Sequence, residues 1–216
     1  MVPFLRYGSL VLAWALLVSA APVQASAKSP DEVIRDALEQ MTSRIEEERK
    51  KLENDEEYAR QVVEEELDGL VDFRRVTRAV MADHFRAASS EQRNRFMETF
   101  RDSLLDTYAA GITLYEGQHW EVKPLGEGDI RGQRARVRME FRTDEGNRVP
   151  VVYSMINNDG QWQVENLIVN NLNLGQVFRA QFAQAMRERD GDLDRVIRNW
   201  SGELDEDETL QVEGDG

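Results

Sequence analysis

Phe96, Phe100, Leu104 and Tyr108 recur every four residues, with Met97, Leu105 and Ile112 on the same side. At helical periodicity this spacing draws an aromatic and aliphatic stripe along one face. The chemistry open to such a stripe is solvation of apolar matter, either the chain's own core or a guest. Alternating segments supply an opposite wall: Val137, Met139 and Phe141, then Val149, Val151, Tyr153 and Met155, then Trp162 and Val164. Phe178 and Phe182 add two more rings at helical spacing. Met and aromatic side chains together suit an adaptable apolar surface. Periodicity by itself favours a closed core over a hollow one.

Residue types for covalent or acid–base work are sparse. Only two histidines, His84 and His119, are present, and neither belongs to an H-x-x-x-H pair, so no zinc site is expected. Cysteine is absent, which removes a thiol nucleophile, disulfides and a lipid attachment point. No G-x-S-x-G elbow occurs, and no glycine loop ends in Lys-Ser or Lys-Thr, so nucleotide hydrolysis is not expected. Asp102 with Asp106, and Glu64 to Glu66, fall on expected solvent faces and read as solvated surface. The sequence predicts no enzyme, no metal and no cofactor.

The elements that must position the apolar walls divide the chain in two. Ser29-Pro30-Asp31-Glu32 is a capping box with proline at the first helical position. It opens a helix with Ile34, Leu38, Met41, Ile45 and Leu52 on one face. A second helix carries Tyr58, Val62, Leu67 and Leu70, and a third is expected from Asp72 to Phe85. Ser89-Ser90-Glu91-Gln92 caps the aromatic helix. After Gly117 the period changes from 3.6 to 2, with turns at Gly126 to Gly132, at Asp144 to Asn147 and at Asn157 to Gly160. A last helical region holds Leu174, Val177, Phe178, Phe182 and Met186, and a short helix is expected near Asp192 to Trp200. Helices, then strands, then helix make an α+β pattern. The expected architecture is a single twisted antiparallel sheet of about four strands wrapped by helices.

Arg6, the apolar run from Leu10 to Ala21 and the small residues Ala25 and Ala27 describe a secretory leader over residues 1–25. The run is shorter than the ~20 residues a membrane span needs. One domain is expected over 28–200, followed by an acidic, disordered tail over 201–216. The net charge is −14, and loss of Arg6 with the leader makes the remainder more negative. Nucleic-acid binding needs a basic face and is not expected. Arg131, Arg134, Arg136, Arg138 and Arg142 nevertheless form a basic stripe on the outward positions of the strands.

Three groups of motifs, in order, carry a family resemblance. The first is Val71-Asp72-Phe73-Arg74-Arg75-Val76-Thr77-Arg78-Ala79-Val80-Met81, followed by Phe85-Arg86-Ala87-Ala88-Ser89-Ser90-Glu91-Gln92-Arg93 and Phe96 to Phe100. The second is Val149-Pro150-Val151-Val152-Tyr153 with Gly160-Gln161-Trp162-Gln163-Val164. The third is Phe178-Arg179-Ala180-Gln181-Phe182. Together they resemble the MlaC family, the periplasmic phospholipid-binding carriers of lipid-asymmetry and toluene-tolerance transporters. Where the family commonly has glycine before an aromatic pair, this chain has Ala82-Asp83-His84-Phe85. Where it commonly has Asp after the W-x-V strand, this chain has Asn166.

The resemblance implies an apolar cavity between sheet and helices, with phospholipid as cargo rather than cofactor. Phe96, Phe100, Leu104, Tyr108, Met139, Phe141, Val151, Tyr153, Met155, Trp162, Val164, Phe178 and Phe182 are the expected lining. It implies a periplasmic monomer and two partners: an inner-membrane ABC transporter complex with a substrate-binding ring, and an outer-membrane lipoprotein–porin complex. A periplasmic chaperone or lipoprotein carrier is the alternative, and an enzyme on a cone-shaped fold a remoter one. Two tails of ~16 methylenes, at ~0.8 kcal/mol each, carry about 25 kcal/mol of unfavourable hydration, so transfer through water needs a dry container.

Overall fold

Glu32 Oε2 accepts the Ser29 backbone N–H at 2.7 Å and the Ser29 hydroxyl at 2.9 Å, opening helix α1 (Pro30–Asn54). At 1.5 Å per residue this helix is about 37 Å long. Asp55 Oδ1 accepts the Tyr58 N–H at 3.0 Å and starts α2 (Glu56–Leu67). Asp72 Oδ1 does the same for Arg75 at 2.9 Å at the head of α3 (Phe73–Met81). The single turn α4 (His84–Ala87) follows, then α5 (Ser90–Ile112), where Ser89 and Gln92 satisfy each other's backbone N–H. This computed structural model describes residues 28–112 and 115–202. The expected leader, and the expected tail beyond Gly202, lie outside the described residues.

The third helix does not run to Phe85 as the periodicity suggests. It stops at Met81 because Ala82 takes φ +46°, ψ −119°, a backbone state that glycine adopts freely and alanine does not. The break falls where the family resemblance places a glycine.

The strands are β1 (Trp120–Val122), β2 (Ile130–Arg131), β3 (Arg134–Arg142), β4 (Arg148–Asn158), β5 (Gln161–Val169) and β6 (Leu172–Asn173). They form one antiparallel sheet in the order β1-β3-β4-β5-β6, with β2 paired to the start of β3. The α+β class and single sheet match the sequence reading. The strand number is six rather than about four, since two strands have only two residues and show no period. Asp159 and Gly160, at φ +52° and +94°, make the tight β4–β5 hairpin, and Asn170 and Asn171, at +48° and +67°, make the β5–β6 one. Helices α6 (Leu174–Glu188) and α7 (Leu193–Arg198) complete the chain.

Two joints tie helices to sheet. The segment before α3 lies along β5: Val164 N–H donates to Leu70 O at 2.7 Å, and Asp72 N–H donates to Val164 O at 3.0 Å. At the other end Asn166 donates to Asn173 Oδ1 at 3.0 Å and accepts the Gly175 N–H at 3.0 Å. One residue must donate and accept there, which an amide can do and an ionised carboxylate cannot. A Cβ on Gly175 would stand 2.5 Å from Asn166 Oδ1, so glycine is required.

Buried apolar residues form three separate clusters instead of one. The first joins α3, α5, α6 and α7 around Phe96, Phe100, Phe178 and Phe182. The second joins the sheet to the N-terminal half of α1 around Ile34, Val137 and Met155. The third joins the rest of α1, α2 and the end of α5 around Leu52, Val62 and Leu105. A domain of this size ordinarily closes one contiguous core.

Candidate functional site: helix α5 and the apolar sheet face

Successive helical residues are about 100° apart, so Phe100, Leu104, Tyr108 and Ile112 share an arc of about 120° on α5. Phe100 is 0 % exposed and Ile112 9 %, and Leu105 beside them is 0 % exposed. Tyr108, in the middle of that arc, is 42 % exposed. On the same arc Leu104 is half-buried and Gly111 exposed. Helix α5 packs mainly on α2, α3 and α7 and stacks rings on α6, while the sheet takes its cover mainly from α1, α3 and α6.

One face of the sheet is apolar. Val137 and Leu167 flank Tyr153 in register, and Met139 and Val169 flank Val151. Between Ser154 and Met155 the register shifts: Ser154 pairs with Asn166 and Met155 with Val164, leaving Glu165 as an extra, bulged residue. The bulge brings Trp162 and Val164 onto the same face as Leu167 and Val169. Tyr153 is partly buried, and desolvation pushes its phenol pKa up, with the Tyr108 phenol raising it further. Burial also raises the Tyr108 phenol. A tyrosine that is accessible yet desolvated is surrounded by protein without being packed by it.

The structure separates the expected lining residues into two sets. Met139, Phe141, Val151, Tyr153, Met155, Trp162 and Val164 gather in the cluster on one face of the sheet, Leu104 packs against the aromatic cluster, and Tyr108 is exposed. Phe96, Phe100, Phe178 and Phe182 do not join them. They stack edge-on, Phe96 to Phe182 at 4.8 Å, Phe100 to Phe178 at 5.2 Å and Phe96 to Trp200 at 5.3 Å, in a helical core the sheet does not enter. Leu167 and Val169 share the sheet face of Tyr153 and Val151, which the sequence did not reveal. Alternation from Trp162 and Val164 points to positions 166 and 168, and nothing in residue type announces the bulge that shifts the phase.

A second concavity lies elsewhere. A cleft of about 220 Å³ is lined by Arg74, Thr77, Phe85, Ser90, Arg93, Asn94 and Met97. It is below the roughly 300–1,000 Å³ of ordinary ligand sites.

The acidic groups do structural work. Arg60 bridges Asp102 at 2.7 Å and Asp106 at 2.9 Å, and Arg101 meets Glu64 at 2.9 Å, fastening α2 to α5. Arg44 holds Glu65 at 2.7 Å and Glu66 at 3.4 Å, fastening α1 to α2. Among the described residues no group of three or more His, Asp or Glu could hold a metal ion. No helix among them is long and apolar enough to cross a membrane.

Residues 35–202 match the family described as MlaC protein. The chain belongs to the MlaC family. Among its relatives, the toluene tolerance protein Ttg2D of Pseudomonas putida is 31 % identical over 205 residues, covering 94 % of this chain and 93 % of that protein. The intermembrane phospholipid transport system binding protein MlaC of Haemophilus influenzae is 22 % identical over 188 residues, covering 82 % and 75 %. The phospholipid-binding protein from Ralstonia solanacearum, solved in complex with a phospholipid, superposes with a TM-score of 0.72. At 20 % identity, over 79 % of this chain and 94 % of that one, it shows that the MlaC fold is shared.

Proposed function

We propose that this protein is a periplasmic phospholipid carrier that shuttles lipid between the two membranes of the cell envelope. The observation that carries the reading is Tyr108, exposed between the buried Phe100 and Ile112 and yet desolvated enough to raise its phenol, which we read as facing a hollow between α5 and the apolar sheet face. Relatives named for phospholipid transport and toluene tolerance support it, as does a shared fold solved with a phospholipid bound. The acyl chains occupy the hollow and the headgroup stays at its mouth. The leader over residues 1–25 exports the chain, and the absence of cysteine leaves it without a lipid anchor.

Leaving a bilayer for a dry cavity is nearly an even exchange of apolar environments, so the carrier itself supplies no direction. Direction comes from an ATP-driven inner-membrane complex with a substrate-binding ring and from an outer-membrane lipoprotein–porin complex. Docking uses charge. Arg136 on the outward face of β3 is exposed, while Arg134 is engaged by Glu165 and Arg138 by Asp129. Surface charge sets encounter rate and is screened over roughly 8–10 Å. Association with at least one membrane complex therefore slows as salt rises, and Arg136→Glu slows it at low salt while bound lipid is retained.

Native mass spectrometry of protein expressed with its leader tests the central reading. The expected result is phospholipid near one per chain, identified in the organic extract. Only apo protein would count against it.

A further inference from the structure

The cleft of about 220 Å³ between α3, α4 and the start of α5 has no carboxylate in its wall, although the chain carries 41 Asp and Glu. Its polar side chains are donors left without protein partners. Among the described residues the side chains of Arg74, Ser90 and Asn94 make no hydrogen bond or ion pair. Thr77 in the same wall is 2 % exposed, and its hydroxyl has no partner, where a buried hydroxyl ordinarily has one. Arg93 donates from Nε to the Phe85 carbonyl at 2.8 Å and from Nη2 to the Arg86 carbonyl at 3.3 Å, which leaves Nη1 free. Its guanidinium lies over the Phe85 ring at 4.4 Å, and that of Arg78 is 5.3 Å from the same ring.

Neighbouring arginines are treated differently. Arg75 is held by Asp72 and Glu165, Arg95 by Asp194, and Arg101 by Glu64. Two guanidiniums with no carboxylate beside them, in a cleft that also offers hydroxyl and amide donors, suit a guest rich in anionic oxygens. A carboxylate presents two oxygens in one plane. A phosphate presents a tetrahedron of them, so that donors from different sides can each meet one, and guanidinium matches it bidentately. Phe85 and Met97 supply an apolar part of the wall for the carbon side of an ester. The volume is too small for a drug-sized ligand and leaves room for a small one.

We propose that this cleft binds the phosphate group of a small phosphate ester, with Arg74 and Arg93 as its cations and Thr77, Ser90 and Asn94 as neutral donors. The same chemistry is offered by the phosphoglycerol part of a lipid headgroup and by a soluble ester such as glycerol 3-phosphate. None of the lining residues belongs to the cluster on the sheet face, so the inference goes beyond the carrier reading and does not rest on it.

The test is calorimetric titration of glycerol 3-phosphate into the delipidated mature chain at fixed ionic strength. Arg74 is exposed and unpaired, so Arg74→Gln should fold normally and weaken binding about 10-fold. Arg74→Lys should recover only part of the loss, because it keeps the charge and not the fork. Arg131→Gln, at an exposed arginine of β2, should bind as the wild type does. A second arm repeats the titration on chain loaded with a diacyl phospholipid. Blocked binding there assigns the cleft to the headgroup of the cargo, and unchanged binding assigns it to a soluble ester; both keep the phosphate site. If the chain holds no phospholipid, the carrier reading fails and the first arm alone decides the cleft. No binding by the delipidated wild type overturns the proposal, and so does equal binding by Arg74→Gln. Displacement of the ester by equimolar acetate shows an adventitious ion only and overturns it as well.

Discussion

The two halves of α5 have the same kind of residues at the same spacing and meet different fates. In the first half Phe96 and Phe100 are 0 % exposed, locked edge-on against Phe178, Phe182 and Trp200. In the second half Tyr108 continues the stripe and is 42 % exposed. The difference lies in what stands opposite. The N-terminal half faces α3, α6 and α7, which close on it, and the C-terminal half packs Leu105, Ala109 and Ile112 on α1 and α2 and leaves Tyr108 exposed.

The contrast can be broken most forcefully at Phe100. Phe100→Ala should cost ~3–5 kcal/mol of stability in urea unfolding, with lipid affinity of the folded fraction unchanged. Tyr108→Ala should reverse that pattern. Its cost in the apo protein is about 1 kcal/mol or less, as for accessible positions, while lipid release quickens severalfold. If the two variants behave alike in both assays, the two halves of the helix do not differ as described.

A smaller effect tests the chain break that lets α4 and α5 turn. Ala82→Gly should raise stability by about 1 kcal/mol, because the strain at φ +46° exceeds the entropy that glycine adds to the unfolded chain. A loss of stability would mean that Ala82 is unstrained. Lipid retention should not change.

The smallest effect concerns the outer sheet face. The Gly126 N–H donates to Asp129 Oδ2 at 2.6 Å, and Arg138 contacts both carboxylate oxygens at 2.8 and 2.6 Å. The Gly126 bond first, and then Arg138, hold the Asp129 pKa below its usual value of 3.8 against the opposing effect of burial. A depressed folded pKa means that the unfolded state binds the proton more readily. Its contribution is therefore present above about pH 4 and lost as pH falls through the folded value. Asp129→Asn should show a stability deficit at pH 7 that shrinks below pH 4. A deficit independent of pH would locate the effect in packing.

Much of this was legible in the sequence for identifiable reasons. The capping boxes at Ser29 and Ser89 fix helix starts, and Asp159-Gly160 fixes a hairpin, because each residue type has a local mechanism. The change of period after Gly117 gives the α+β class. Ala82 was not legible as a break, since alanine is a good helix former and only tertiary placement holds it at positive φ. The β5–β6 hairpin at Asn170-Asn171 carried a usable turn signal, but its strand is too short to show alternation. Among the expected lining, Tyr153 and Val151 fall on the apolar sheet face because strand alternation is local. Phe178 and Phe182 fall away from it because helix-to-helix packing is not local. Leu167 and Val169 were hidden by the bulge at Glu165.

Photo-crosslinking measures the central claim directly. A phospholipid with a diazirine near the middle of one acyl chain is loaded into the protein, irradiated, and the adducts are mapped by peptide mass spectrometry. The account predicts adducts on Tyr108, Tyr153 and the strand from Val164 to Val169, with none on Phe96, Phe178 or Phe182. Labelling concentrated in the aromatic cluster would contradict it, and so would labelling confined to the cleft lined by Arg74 and Arg93.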